Sequence, residues 1–388
     1  MIRKLVNERF ADAGITVGGS DPWDIRIKHD RFYRRVAFFH SLGLGDSYRD
    51  GDFECAQLEE FLYKLMKHRQ EHQSGSRGGF PSSLPQAWVH LQLLLINQQT
   101  AARAAKAISH HYDIGNELYE PMLGDTMAYS CGYWAGANNL DEAQRNKYRI
   151  ICEKIGLREG MRVLEIGCGW GGFAAFAAKE YGARVAGISL SGEQVNYART
   201  KYRSLHDDGM IHLQLMDYRD IPKCFPYQFD AIVSIGMFEH VGPDNYDEYM
   251  RTAWLALKHG RPFLLHTIIG SSGKIDPFIW YRIFPGGILP MEEQIARSSK
   301  PYFVLEHLEN FGFDYALTLD AWWRNFETAW PELKKNGHYN EKFRRVWEFY
   351  LKSCAAMFRV RRVQLQQWML VKGGTKGGFQ WNRPQYHR

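Results

Sequence analysis

The sequence has no closely spaced cysteine pair. Its six cysteines (Cys55, Cys131, Cys152, Cys168, Cys224 and Cys354) are scattered through 388 residues with no CxxC among them. That pattern predicts reduced thiols in a cytoplasm rather than a disulfide framework. Long hydrophobic runs are missing too. The most apolar stretch, WVHLQLLLI at 88–96, is far shorter than the roughly 20 residues needed to cross a bilayer. The opening MIRKLVNERFADAG lacks the apolar core of a secretory leader. Low-complexity tracts and solenoid-length repeats are absent. What is present, 45% hydrophobic and 24% charged residues, fits a globular chain long enough for two domains.

The net charge of +6 is unevenly placed. From Leu333 onward there are 13 Lys/Arg against 2 Asp/Glu, so the rest of the chain is slightly acidic. A basic end predicts an anionic surface as partner, nucleic acid or phospholipid headgroups; a solvated face without a partner is the competing reading. Arg344, Arg345, Arg359, Arg361 and Arg362 are the candidates for headgroup contact.

Residues 1–72 mix helical and strand-like patterns, as in DIRIKHDRFYRRVAFF and FLYKLMKHRQEH. The amphipathic FLYKLMKH suits a core-facing helix better than one lying on a membrane. SGSRGGFPSSLP (74–85) is a linker by composition, and Gln86–Ser109 follows with helical spacing. Beyond it RVLEIGC, ARVAGISL, IHLQLMD, FDAIVSIG and RPFLLHTII read as strands. Between them, GGFAAFAAKEYG is a helix ending at Gly182, and SGEQVNYARTKYRSL a helix with Ser191 as N-cap. RVQLQQWMLVK is one more strand, expected as an antiparallel edge. Such alternation predicts an α/β domain with a mainly parallel sheet.

EIGCGWGG (165–172) joins the first of these strands to its helix. Gly167, Gly169 and Gly172 satisfy GxGxxG, where glycines let backbone approach a ligand at a helix N-terminus. A lone match of this kind also fits a dinucleotide enzyme. Against NAD, the strand carries Glu165, and the second strand ends in Ser189-Leu190-Ser191 with no acid for a ribose diol. The acid-x-Gly-x-Gly form resembles motif I of S-adenosylmethionine (SAM) methyltransferases. Where a base is needed, Glu239 or His266 is the candidate read from the residues alone: Glu239 follows the fourth strand, His266 sits in the fifth, and such sheets bind ligands at the carboxyl ends of their strands.

Several segments together resemble the cyclopropane-fatty-acyl-phospholipid synthase family. They are HHYDIGNELYEPMLGDTMAYSCGYW, VLEIGCGWGGFA, SIGMFEHVGPDNY, FLLHTII and FGFDYALTLDAWWRNF, with SLGLGDSYRDGDFE near the amino terminus. The resemblance implies a SAM-methyltransferase, Rossmann-like sheet, mainly parallel with an antiparallel edge strand, preceded by a smaller, largely helical domain. It divides the chain into a lipid-binding or dimerisation domain with its linker (1–85), a connecting helix (86–109) and a catalytic domain (110–388). The implied reaction moves the SAM methyl group to the cis double bond of a phospholipid acyl chain. Proton loss from the new methyl then closes a cyclopropane ring.

The resemblance also implies the site. A bound bicarbonate is the base, held by Cys131, Glu239, His266, the main chain at Ile268, and Tyr315. SAM is held by Tyr129, Ser130, Glu165, Gly167, Gly169, Ser189, Gln194, Asp217, Tyr218 and Arg219. Aromatic faces stabilise a cationic intermediate without attacking it, and Tyr129, Tyr133, Trp134, Phe238, Tyr315, Trp322 and Trp323 flank the motifs. The implied partners are membrane phospholipid and a second copy of the chain. The implied location is the cytoplasm, peripherally on the inner face of the cytoplasmic membrane, with no nucleic acid bound. Within AYSCGYW, Cys131 is then the wall of an anion pocket rather than a nucleophile or a metal ligand, with simple packing as the alternative.

Three other readings compete. They are a SAM methyltransferase acting on another acceptor, a non-catalytic lipid- or nucleic-acid-binding protein, and a dehydrogenase.

Overall fold

The computed structural model describes residues 1–73, 114–271 and 275–381. The linker expected at 74–85 and the helix expected at Gln86–Ser109 lie outside the described residues. The described residues form two compact bodies. The first takes 1–73, 275–285 and 319–363, and the second takes 114–271, 286–318 and 364–381. Each body is therefore assembled from separated pieces of chain.

The first body is mostly helical, with Ile2–Asp12, Arg31–Arg49, Leu58–Gln73 and Glu341–Arg359 as its long helices. One short antiparallel pair accompanies them, β1 (Ile25–Ile27) with β2 (Phe53–Cys55). Its core is aromatic: Phe10, Phe32, Phe53 and Phe61 meet with ring centroids 5.2 to 6.1 Å apart. Leu58, Phe61 and Leu62 are buried, so the FLYKLMKH helix turns its apolar stripe to the core as its spacing predicts.

The basic C-terminal arginines are more committed than their charge suggests. Arg359 pairs with Glu59 and with Asp320, Arg344 with Glu341 and Glu348, and Arg345 donates to the Phe53 carbonyl at 3.1 Å. These three are half-buried parts of the body's own framework.

The second body holds a seven-stranded sheet in the order β5-β4-β3-β6-β7-β9-β8. The strands are β3 (Arg162–Ile166), β4 (Arg184–Ser189), β5 (Ile211–Leu215), β6 (Ala231–Ile235), β7 (Pro262–Gly270), β8 (Val304–Asn310) and β9 (Val363–Val371). β3 to β7 pair in parallel, and β8 runs antiparallel to β9. Leu164, Ile166 and Ile232 pack into one apolar cluster, while Val163, Val233 and Leu264 pack into another. These are the two faces of a sheet covered on both sides, as a parallel sheet requires.

Two sequence-level details hold. Gly182 ends the helix Gly172–Tyr181 in the left-handed region (φ 63°), and the Ser191 side chain caps the next helix by accepting from Gln194 N. One expectation is corrected: the antiparallel edge is β8, and the strand RVQLQQWMLVK (β9) lies inside the sheet between β7 and β8. β8 was missed because it inverts the usual pattern. Val304 and Leu305 are exposed while Glu309 is buried. Among the described residues no helix is long and apolar enough to cross a membrane.

Candidate active site

In the strand order, the chain reverses direction of build between β3 and β6, and ligands of such sheets bind beyond the carboxyl ends of the strands at that point. A pocket lies there. It is lined by Ile166 to Gly169 after β3, Ser189 and Leu190 after β4, Ile235 to Met237 after β6, and the 127–130 segment. Of the ten residues expected to hold SAM, Tyr129, Ser130, Glu165, Gly167, Gly169, Ser189, Gln194 and Tyr218 line it.

Glycine is required at the mouth. Gly167 takes φ 87°, and a Cβ there would fall 2.7 Å from Met237 Cβ. A Cβ at Gly172 would fall 2.4 Å from the Thr126 carbonyl oxygen. Ser189 Oγ donates to Gln194 Oε1 at 3.0 Å, which leaves the Gln194 amide nitrogen near Gly169.

Two expected contacts are not in the lining. Asp217 caps the turn Tyr218–Asp220 by accepting from Arg219 N at 2.9 Å, and its carboxylate meets the Arg219 guanidinium at 3.1 Å. Arg219 also reaches Glu248. Tyr218 does face the pocket, and its buried hydroxyl has no protein partner.

Two buried ionisable groups stand at the pocket, Glu165 in its lining and Lys147 behind Ser130. Lys147, fully buried, donates to Ser130 Oγ at 2.8 Å and to Gln144 Oε1 at 2.7 Å. As an ammonium Lys147 only donates, which leaves the Ser130 hydroxyl proton for the pocket side. Burial lowers Lys147 to about 7, opposed by the nearby Cys131 and Glu165. Burial also pushes Glu165 well above the usual carboxylate range, with Lys147 pulling it back, and its Oε2 has no partner.

The residues expected around a bicarbonate come from four elements: the Cys131 loop, the turn Phe238–His240 after β6, β7, and the helix Phe313–Leu333. Gly132 N donates to Thr318 Oγ1 at 3.0 Å, and Trp134 N to Asp314 Oδ2 at 2.8 Å. Phe311 contacts both Tyr133 and the His266 ring, with centroids 5.2 and 5.8 Å apart. So the Cys131 loop, β7 and the first turns of the helix Phe313–Leu333, which carry Tyr315, form one neighbourhood.

Cys131 is fully buried, and its thiol donates to the Gly132 carbonyl at 3.1 Å. Burial raises it well above its ordinary value, so it is a neutral thiol. Glu239 Oε1 accepts from Ile268 N at 2.7 Å, while Oε2 is buried without a partner. The Ile268 N–H therefore serves Glu239 rather than standing open to an anion. Burial raises Glu239 to about 7 against the Ile268 N–H and the Thr267 hydroxyl, which lower it. His266 is held neutral by burial and by the charges of Lys147 and Lys154, and its Nε2 is buried without a partner.

The aromatic residues divide. Phe238 stacks on Tyr246 at 4.4 Å and belongs to the core, and Trp322 and Trp323 belong to the first body.

Sequence reasoning missed Met127, Tyr148, Trp170, Met216 and Met237, all of which line the pocket. It also missed Lys147, although the signal was there. Lys147 shares a helical stripe with Leu140, Gln144 and Ile151, all buried, and a lysine on such a stripe is anomalous.

Comparison with known proteins gives the family. The family model for mycolic acid cyclopropane synthetase matches residues 99–368. The cyclopropane-fatty-acyl-phospholipid synthase of Escherichia coli strain K12 is 45% identical over 377 residues, covering 96% of this chain and 94% of that protein. A probable fatty acid methyltransferase of Pseudomonas putida is 37% identical, over 73% of this chain and 74% of its own. Among solved structures, a mycolic acid cyclopropane synthase complexed with SAH and CTAB superposes with a TM-score of 0.61 at 30% identity, over 69% of this chain and 98% of that one. The chain belongs to the mycolic acid cyclopropane synthetase family of methyltransferases.

Proposed function

We propose that this enzyme transfers a methylene carbon from SAM to the cis double bond of unsaturated acyl chains in membrane phospholipids, forming cyclopropane fatty acids. The observation that carries the reading is a glycine-lined pocket beyond β3 and β4, together with two buried groups outside its lining that have no hydrogen-bond partner, Glu239 Oε2 after β6 and His266 Nε2 on β7. Buried polar groups normally have partners, so two left open on residues of neighbouring elements support a polar ligand between them.

The pocket residues fit SAM. The glycines leave room that a side chain would fill, and the unpartnered Glu165 Oε2 and Tyr218 hydroxyl offer polar contacts. When bound, SAM supplies an activated methyl group. Ser130 donates from its hydroxyl, with Lys147 behind it, toward the amino-acid end. Gln194 and the glycine backbone would hold the middle, and Tyr218 would meet the adenine. Asp217 and Arg219 act through the turn they brace.

An alkene is a weak nucleophile, so positioning supplies much of the acceleration. The residues around Glu239 fit a bicarbonate. Glu239, through Oε2, would accept a hydrogen bond from such an anion, and His266, through Nε2, would donate one to it. Cys131 and Tyr315 complete the wall, and Ile268 contributes by holding Glu239. The anion's chemistry is removal of a proton from the new methyl group. Neutral Cys131 forms no covalent bond in this scheme, and the rings of Phe311, beside His266, and Tyr133, beside Phe311, offer a developing cation no nucleophile.

The enzyme meets its substrate as a homodimer on the inner surface of the cytoplasmic membrane. The exposed pair Phe38 and Phe39 in the first body supports membrane contact. The test is incubation with SAM and vesicles of unsaturated phospholipid in carbon-dioxide-free buffer, with and without added bicarbonate. Cyclopropane lipid that depends on both is expected. Equal turnover without bicarbonate overturns the assignment of the base, and no modified lipid at all overturns the reaction.

A further inference from the structure

We propose that Gln367, held by Lys154, is a positioning residue that fixes His266 as the tautomer with its proton on Nε2. The chain of contacts has one polarity only. Lys154 Nζ donates to Gln367 Oε1 at 2.7 Å, and an ammonium cannot accept. The amide oxygen of Gln367 is thereby assigned to the lysine side, so its nitrogen is the atom 3.2 Å from His266 Nδ1. An amide nitrogen only donates. Nδ1 must then be the bare, accepting nitrogen, and the proton sits on Nε2, which is buried without a partner. In a neutral imidazole the hydrogen bond at one nitrogen decides what the other can do.

The support is rigid on every side. Gln367 is 1% exposed on β9, and the Lys154 side chain is wholly buried at the end of the helix Leu140–Lys154. Glu309 on β8, directly opposite Gln367 in the register, takes the other Lys154 hydrogen bond at 2.5 Å. A buried charge of this kind is tolerated only when paired, and here the pair holds an amide in one orientation. His266 is consequently a hydrogen-bond donor to whatever lies at Nε2, and it is not the general base.

The proposal rests on the reading of His266 as an anion donor, but its structural half is tested without turnover. Nitrogen-15 histidine NMR distinguishes a protonated from a bare ring nitrogen, and the His266 signals are identified by their loss in His266→Gln. In the wild-type enzyme Nε2 is expected protonated and Nδ1 bare. A Gln367→Glu variant presents an acceptor to Nδ1, so the proton should move there. Its kcat should fall by about 100-fold, the usual cost of one preorganised donor, with the KM for SAM unchanged.

A wild-type spectrum with Nδ1 protonated overturns the proposal. So does a Gln367→Glu enzyme whose tautomer is unchanged, or one whose tautomer inverts while turnover stays at the wild-type level. If Gln367→Glu does not fold, the volume-conserving Gln367→Met decides the same point. It should give a mixture of tautomers, and an undisturbed Nε2–H form overturns the role of Gln367. Failure of the wild-type enzyme to make any cyclopropane lipid strikes the proposed reaction and leaves the spectrum to decide the tautomer.

Discussion

Glu239 Oε1 accepts a hydrogen bond from the Ile268 main-chain N–H at 2.7 Å, and the other oxygen of the same carboxyl is buried with no partner. One oxygen fixes the orientation, which leaves the second to do chemistry. Substituting Glu239→Gln keeps the shape and replaces an acceptor by an amide. Turnover should drop by about 100-fold or more, and the remaining activity should lose its dependence on bicarbonate.

The same residue sets a pH signature. Burial raises Glu239 from an ordinary 4.5 to about 7. The folded protein therefore binds a proton between those values that the unfolded chain releases, so this group's contribution to stability falls as pH rises through the window, by about 3 kcal/mol in all. Activity moves the opposite way, since an ionised carboxylate is needed to accept the O–H, and it should rise as pH passes about 7. Urea unfolding at the two ends of the window should show Glu239→Gln without this loss of stability.

Lys147 and Ser130 act as one unit at the pocket floor, joined at 2.8 Å. Lys147→Met and Ser130→Ala should each raise the Kd for SAM by about 10-fold, the worth of one hydrogen bond to a charged group. The double variant should be little worse than either single one, because both remove the same contact. Calorimetric titration with SAM checks this directly. Full additivity would separate the two residues.

Cys131 is a buried neutral thiol, so Cys131→Ser should keep partial activity. Alkylation of the folded protein should reach the exposed Cys224 first and leave Cys131, Cys152 and Cys168 unmodified. Complete inactivation of a folded Cys131→Ser enzyme would return the nucleophile to consideration.

Membrane contact should depend on Phe38 and Phe39 more than on the basic C-terminal arginines, three of which are already engaged. Phe38→Ser combined with Phe39→Ser should reduce co-sedimentation with unsaturated vesicles. Moderate salt should weaken binding only partly.

Much of the second body was legible because its parts follow local rules. A glycine turn between an apolar strand and helix, a serine cap at Ser191 and a stop at Gly182 each announce themselves in sequence. β8 did not, since its exposed Val304 and buried Glu309 reverse the pattern that hydrophobicity reads. The partner of Glu309 is Lys154, 155 residues away in sequence. Neither is recognisable as a support for His266 until β8 and β9 bring them together. Glu239 was visible as a candidate, yet the fact that Ile268 occupies one of its oxygens depends on how the turn after β6 meets β7. Charge counted along the chain also hides the acids that fold against the basic C-terminal segment, Glu59 and Asp320 on Arg359 among them.

The central claim is that the methyl group delivered to the alkene then loses one proton to close a ring. Incubation with SAM bearing a fully deuterated methyl group, followed by mass and NMR analysis of the released fatty acids, tests it most directly. The account predicts a cyclopropane whose bridging carbon is CD2, one deuteron having been removed. A product retaining CD3 as a methyl branch would contradict it.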